Sequence, residues 1–165
     1  MSYEDHIKTL LEEIRREREQ DDNIARIEAP VFDSPTALLS FLRNRPVARH
    51  VEVTTLPSFL RRFRSSLGLT IQNAADALGI ELRELNELES INCLPWTIPA
   101  ISIARILSGY RIHIEAAKFL AQNSYEIARV SGRLSNSNDV MQKISTWVAA
   151  LRAELEKQNE IDLLT

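Results

Sequence analysis

Residues 60–90, LRRFRSSLGLTIQNAADALGIELRELNELES, contain the pattern that decides the fold. Apolar residues recur there at the spacing that lines one face of a helix, first before Gly79 and again after it. The pattern predicts one helix that Thr70 caps and that runs to Leu78, and a second helix over about 82–88. Gly79 predicts the turn between them, because a tight turn there needs a positive φ. The predicted core positions are Leu69, Ala74, Ala75, Leu78, Ile80, Leu85 and Leu88.

The composition favours a helical protein. The chain has 165 residues, of which 44% are apolar, 26% are charged and four are glycine. Frequent Leu, Ala, Arg and Glu favour helix over sheet. Residues 48–55 are the one exception, because they alternate and are rich in β-branched types, which is typical of a strand. We therefore predict an all-α fold with amphipathic helical extensions at both ends and one candidate short strand.

Changes in composition and periodicity divide the chain into four predicted parts. Residues 1–29 form an N-terminal amphipathic helix, and residues 30–56 form a linker helix followed by the candidate strand. Residues 57–134 form the central helical domain around the quoted stretch. Residues 139–160 form a C-terminal helix after a polar segment rich in Ser, Asn and Gly.

The sequence lacks the residues that several classes of function require. The single cysteine, Cys93, excludes an intramolecular disulfide, and the three histidines have no ligand spacing, so we expect no metal or other cofactor. The sequence has no Gly-rich phosphate loop, HExxH motif or nucleophile elbow, so we expect no enzyme. It also has no signal-peptide pattern and no apolar run that would span a bilayer, which predicts a cytoplasmic protein without membrane contact.

Charge is distributed unevenly along the chain, although the net charge is only −3. Residues 30–68 contain six arginines and two acidic residues, whereas residues 69–91 contain five acidic residues and one arginine. The first segment predicts a basic stripe that can neutralise phosphates. The second segment gives the predicted helix over 82–88 an acidic character. The basic stripe comprises Arg43, Arg45, Arg49, Arg61, Arg62 and Arg64.

The order and spacing of these residues resemble the lambda-repressor-like helix-turn-helix of phage-repressor and Cro-like proteins, the xenobiotic-response-element type. The resemblance covers about residues 57–120 and has no gap between Leu69 and Glu89. It implies that 57–134 is a helix-turn-helix domain and that the protein is a DNA-binding repressor of transcription that forms a homodimer. The matching positions are Leu60, Arg61, Leu67, Gly68, Leu69, Thr70, Ala75, Leu78, Gly79, Ile80, Leu85, Leu88, Glu89, Pro99, Ile101, Ala104 and Leu107.

The resemblance also implies which side chains contact DNA. Arg83, at the start of the second helix, is expected in the groove, where arginine binds guanine in bidentate fashion. The arginines of the helix that precedes the motif are expected against phosphates, which position a protein on DNA without specifying the sequence. The implied DNA-contacting set is Arg61, Arg62, Arg64, Thr70, Gln72, Arg83 and Asn86.

Several positions depart from the family pattern and indicate a second function. Ile71 stands where the family usually has a polar residue that contacts a phosphate, and Leu82 stands at a base-reading position. Residues 81–91 carry four glutamates and one arginine, a charge that phosphates repel. The alternative function is a protein-interaction module, antitoxin-like or an adaptor, whose acidic helix docks on a basic protein partner. Its expected contact residues are Glu81, Glu84 and Glu87.

The C-terminal helix has an apolar stripe for which two roles remain open. Its coiled-coil-like spacing lasts barely two heptads, so it fits either a dimer seam or the chain's own core. Trp147 favours an interface, because aromatic residues are enriched at the centres of interfaces. The candidate dimer-interface residues are Ile144, Trp147, Val148, Leu151 and Leu155.

Overall fold

The computed structural model describes residues 3–24, 34–132, 134 and 137–165, and the regular structure in these ranges is helical. The prediction of an all-α fold is confirmed. The described α-helices are α1 Tyr3–Ile24, α2 Pro35–Arg43, α3 Leu56–Ser66, α4 Ile71–Leu78, α5 Leu82–Leu88, α6 Ala100–Tyr110, α7 Ile114–Val130 and α8 Ser137–Lys157, with short 3₁₀ turns at Pro95–Thr97 and Ile161–Leu163.

Hydroxyl side chains begin three of these helices. Ser34, Thr55 and Thr70 each accept the backbone N–H three residues further on, at 3.1, 3.3 and 3.1 Å. A proline follows in the first turn of α2 and of α3, where its missing N–H has no intrahelical partner to lose. The starts of α2, α3 and α4 therefore follow from local sequence.

The strand predicted near 48–55 is wrong. In the described ranges Ala48 forms only a single parallel bridge, with Ile112. The N–H of Ala48 donates to the carbonyl of Arg111 at 2.7 Å, and its carbonyl accepts the N–H of His113 at 2.9 Å. The bridged residue lies in the three-residue connection between α6 and α7, which is too short to serve as a second strand. The alternation of β-branched residues therefore finds no ladder to join.

The helix pair α4 and α5 has the turn and the core that the sequence predicts. Gly79 ends α4 at φ +66°, in the left-handed region, and the N–H of Ile80 donates to the carbonyl of Ala75 at 3.1 Å. All seven predicted core positions are buried. Helices α2 and α6 pack against α4, so the pair rests on a shared core in which Ile103 and Leu107 of α6 are fully buried.

Helix α8 packs against α6 and α7 of its own chain, which corrects the dimer-seam alternative. Ile144, Trp147, Leu151 and Leu155 are buried, and Val148 is half-buried against the same core. An apolar stripe that is already covered offers little surface to a second copy. The stripe is therefore intramolecular core.

Helix α1 also packs on its own chain, through a small cluster apart from the main core. Ile7 and Ile14 are buried against Ile127 of α7, and Leu10 and Leu11 are half-buried beside them. This face is the one that the helical spacing predicts. Among the described helices none combines the length and the hydropathy needed to cross a membrane.

Candidate nucleic-acid interface

A buried ion pair fastens α5 to α3. Nε of Arg64 lies 2.9 Å from both carboxylate oxygens of Glu89, and Nη2 lies 2.9 Å from Oε2. Nη1 of Arg64 donates to the carbonyl of Leu69 at 2.7 Å. The side chains of Arg64 and Glu89 are 15% and 4% exposed. Because its guanidinium is used in this way, Arg64 is structural, which corrects its expected place against a phosphate.

The charge state of Glu89 depends on two opposing effects. Burial raises the pKa of this carboxyl above its ordinary value, and the positive charge and hydrogen bonds of Arg64 lower it, with a smaller contribution from Arg61. Losing a water shell favours the neutral acid, whereas a bidentate arginine favours the carboxylate. Glu89 is therefore held as half of a pair, and its charge is not available to a ligand in solvent.

The outward face of α5 consists of four side chains from consecutive turns. Leu82, Arg83, Asn86 and Glu87 are exposed, whereas Leu85 is buried on the opposite face. Arg83 is the most open of the charged groups, at 85%, and its Nε lies 3.0 Å from Oε1 of Glu87 one turn later. Such an exposed pair contributes only about 0.5 kcal/mol, so a ligand can separate it. This face is available for contact with a partner.

The first turn of α4 adds polar groups. Thr70 is exposed and its hydroxyl oxygen accepts the N–H of Asn73, and Gln72 is exposed with its amide donating to Asp76 at 2.9 Å. No acidic residue lies in this first turn. The N-terminus of a helix presents unpaired N–H groups and a positive dipole end, so this turn can accept a phosphate.

The structure brings α3 and α5 together around a concavity of about 530 Å³. Three residues of the predicted DNA-contacting set line it, namely Arg61, Arg64 and Asn86, together with Ile71 of α4. Arg62 lies outside it and pairs with Glu52, with Nη1 3.4 Å from Oε2. Of the three predicted phosphate contacts, Arg61 and Arg62 therefore remain candidates.

The acidic residues of α5 do not act as one set. Glu84 is half-buried, and the hydroxyl of Ser102 donates to its Oε2 at 2.5 Å, which ties α5 to α6. Glu81 is exposed at the start of α5 and makes no side-chain cap bond, and Glu87 is exposed beside Arg83. We call the exposed residues Asp76 of α4, Glu81 at the start of α5 and Glu87 of α5 the acidic surface, to which Glu84 does not belong.

Comparison with known proteins finds no match to this chain: no family model, no curated protein and no solved structure corresponds to it. In the part of the chain that the structure describes, no group of three His, Cys, Asp or Glu side chains is placed to hold a metal ion. The chemistry of the exposed face of α4 and α5 is accordingly the basis for assigning a function.

The rest of the basic stripe mainly serves the fold. The guanidinium of Arg45 lies 4.5 Å from the ring centroid of Phe63, a cation–π contact, and Arg49 donates to the carbonyl of Asp162. Sequence reasoning missed these contacts and the pairs Arg64–Glu89 and Ser102–Glu84. Among these residues, Glu89 alone gave a sequence signal of a structural role. It is an acidic residue directly after an apolar helical run, and it matches a position of the family pattern.

Proposed function

We propose that this protein is a DNA-binding regulator of transcription, in which α4 and α5 form a lambda-repressor-like helix-turn-helix. The observation that carries the proposal is the outward face of α5. Its exposed residues, Leu82, Arg83, Asn86 and Glu87, lie opposite a fully buried face and beside the N-terminus of α4. A helix of this kind enters the major groove with its N-terminal residues toward the base edges.

The residue types of this face suit base reading. Arginine makes bidentate hydrogen bonds to guanine, and asparagine makes them to adenine. Arg83 and Asn86 are one turn apart on the exposed face, so both reach the same groove. Arg61 and Arg62 of α3, with Thr70 and Gln72 of α4, supply the phosphate contacts. With two arginines per protomer against phosphates, non-specific binding should be weak and should depend only shallowly on salt concentration.

Binding of a duplex, measured by anisotropy across a salt series, tests the proposal. Two phosphate-contacting arginines per protomer give a slope of log K against log salt of about −2. Arg62→Gln should reduce that slope by about one, and Arg83→Ala should weaken binding to a selected sequence more than to random DNA. Arg129→Gln, at an exposed position of α7, is the matched control and should leave the slope unchanged. A lack of binding at about 50 mM salt would contradict the proposal.

The acidic surface supports a second candidate, an antitoxin-like or adaptor module that binds a basic protein. Asp76, Glu81 and Glu87 are exposed, and Arg83 is the single arginine of residues 69–91. The double reversal Glu81→Lys and Glu87→Lys separates the two functions, because it should strengthen general DNA binding and abolish capture of a basic partner. Glu84 is left unchanged, since its reversal would disturb the contact with Ser102.

The homodimer that the proposed regulator would form needs a surface other than the buried stripe of α8. Sedimentation equilibrium, with and without a duplex, determines whether two copies assemble in solution or only on DNA. If the protein is a monomer both with and without the duplex, the homodimer is excluded, whereas the proposal of DNA binding still stands.

A further inference from the structure

His113 lies between α6 and α7 and joins two parts of the chain. Its Nδ1 accepts the backbone N–H of Glu115 at 3.2 Å, which makes it the N-cap of α7. Its own backbone N–H donates to the carbonyl of Ala48 at 2.9 Å. The residue is 6% exposed. His113 therefore connects the start of α7 to the segment between α2 and α3.

The cap requires one protonation state of the ring. Nδ1 accepts a hydrogen bond only when it carries no proton, so the neutral ring has its proton on Nε2. Nε2 is buried and has no hydrogen-bond partner among the described residues. A proton added to Nδ1 would place two donors face to face, the ring and the N–H of Glu115. The imidazolium therefore cannot cap α7.

Charged groups from three parts of the fold face the ring, and most of them oppose its protonation. Burial is the largest cause that lowers the pKa of His113 below its ordinary value, and the positive charges of Arg49 and Arg152 lower it further. Glu115, whose Oε1 lies 3.9 Å from Nη2 of Arg152, acts in the opposite direction. The positive end of the α7 dipole also disfavours a cation at this position.

We propose that His113 is an acid-sensitive latch between α7 and the segment 44–55. The neutral imidazole caps α7 and keeps the bridge between Ala48 and Ile112 closed. The imidazolium loses the cap and repels Arg49 and Arg152, so the first turn of α7 loosens and the bridge opens. The unfolded chain binds the proton more readily than the native one, so stability falls as the pH drops below about 6.5.

An NMR titration of the histidines of the full chain, with amide exchange at about pH 7.5 and about pH 5, tests this latch. His113 should titrate below the ordinary histidine pKa of about 6.5. The protection of the Glu115 and His113 amides, corrected for intrinsic exchange, should be lower at the acidic pH. It should fall about tenfold for each unit by which the pKa of His113 is higher with the latch open than with the latch closed. His113→Asn keeps an oxygen acceptor at the cap without a titration, so its protection should not change with pH. His6→Asn, at an exposed position of α1 outside the latch, is the matched control and should behave as the wild type.

Arg49→Gln distinguishes the latch from a merely structural cap. Removing this positive charge should move the titration of His113 to higher pH, which loss of packing alone would not do. A titration of His113 at or above a pH of about 6.5 would overturn the proposal. An equal loss of amide protection in acid for His113→Asn would overturn it as well. If His113→Asn fails to fold, the wild-type titration and Arg49→Gln still decide the result.

Discussion

At the scale of single residues, neighbouring arginines of one helix have different roles. Arg61, Arg62 and Arg64 are nearly adjacent in sequence, yet Arg62 pairs with exposed Glu52, whereas Arg64 binds the buried carboxylate of Glu89, which lies 25 residues further along the chain. Local pattern predicted a basic α3 but could not divide these side chains between solvent and core, because that division depends on which helix packs over each of them. Glu84 shows the same limit, since its contact with Ser102 spans 18 residues.

Arg64→Met should destabilise the protein strongly at neutral pH. The substitution keeps an unbranched side chain but leaves the carboxylate of Glu89 buried without its partner. Removal of one member of a buried pair costs about 3–5 kcal/mol, which urea unfolding at about pH 7 measures. Arg62→Met is the matched control, because its exposed pair with Glu52 contributes about 1 kcal/mol at most. Equal losses for the two variants would contradict the structural role of Arg64.

The destabilisation by Arg64→Met should depend on pH in a defined direction. Without Arg64, burial is opposed only by the smaller effect of Arg61, so the pKa of the Glu89 carboxyl rises further above the ordinary value of 4.5. A group whose folded pKa is raised contributes its stability below the unfolded pKa and loses it as the pH rises through the folded pKa. The variant should therefore be closest to the wild type near pH 4 and furthest from it near pH 7, in unfolding curves at both values.

At the scale of elements, the pair α4 and α5 was predictable in type, turn and buried face. Its signals are local: Thr70 caps the helix, Gly79 ends it, and apolar residues recur within each turn. The candidate strand was wrong because the same kind of local signal, alternation of β-branched residues, needs a partner that only the rest of the chain can supply. An N-cap bonds to the N–H groups of the next turn, whereas a strand has no partner within its own segment.

Gly79→Ala should destabilise the protein by about 1 kcal/mol. The residue has φ +66°, and an added Cβ would have nothing within 4 Å, so the cost comes from backbone conformation and not from a clash. Gly79→Asn is the comparison, because asparagine adopts the left-handed region more readily and should cost less. Thermal unfolding of the two variants measures the difference, and an equal or reversed order would indicate that the turn is not held in this conformation.

At the scale of the whole molecule, the decisive feature is that α8 covers α6 and α7 of its own chain. Sequence spacing showed that α8 has one apolar stripe. The same stripe would serve for packing against the rest of its own chain or against a second copy of the protein, so spacing could not distinguish the two. Burial of Trp147, Leu151 and Leu155 in the common core decides between the two. The start of α7 and the segment 44–55, which the proposed latch at His113 connects, likewise come together only in the folded chain.

Leu155→Ala should lower stability by about 2–5 kcal/mol, the cost of deleting a fully buried leucine side chain. Because α8 packs within one chain, the difference in melting temperature between wild type and variant should be the same at every protein concentration, whether or not two copies associate through another surface. A dimer seam through α8 would instead make that difference change with concentration. Scanning calorimetry over about a hundredfold range of concentration distinguishes the two outcomes.

Local sequence patterns were enough to predict the helices, the Thr70 cap, the Gly79 turn and the apolar face of each amphipathic segment. These features depend on residues within about four positions of one another, so a single stretch contains all the information that they need. The tertiary structure alone decided that Arg64 and Glu84 are structural, that the stripe of α8 is core, and that Ala48 pairs with the α6–α7 connection. Each of these results is a contact between residues that are distant in sequence. Such contacts depend on how the helices pack, which local sequence does not specify.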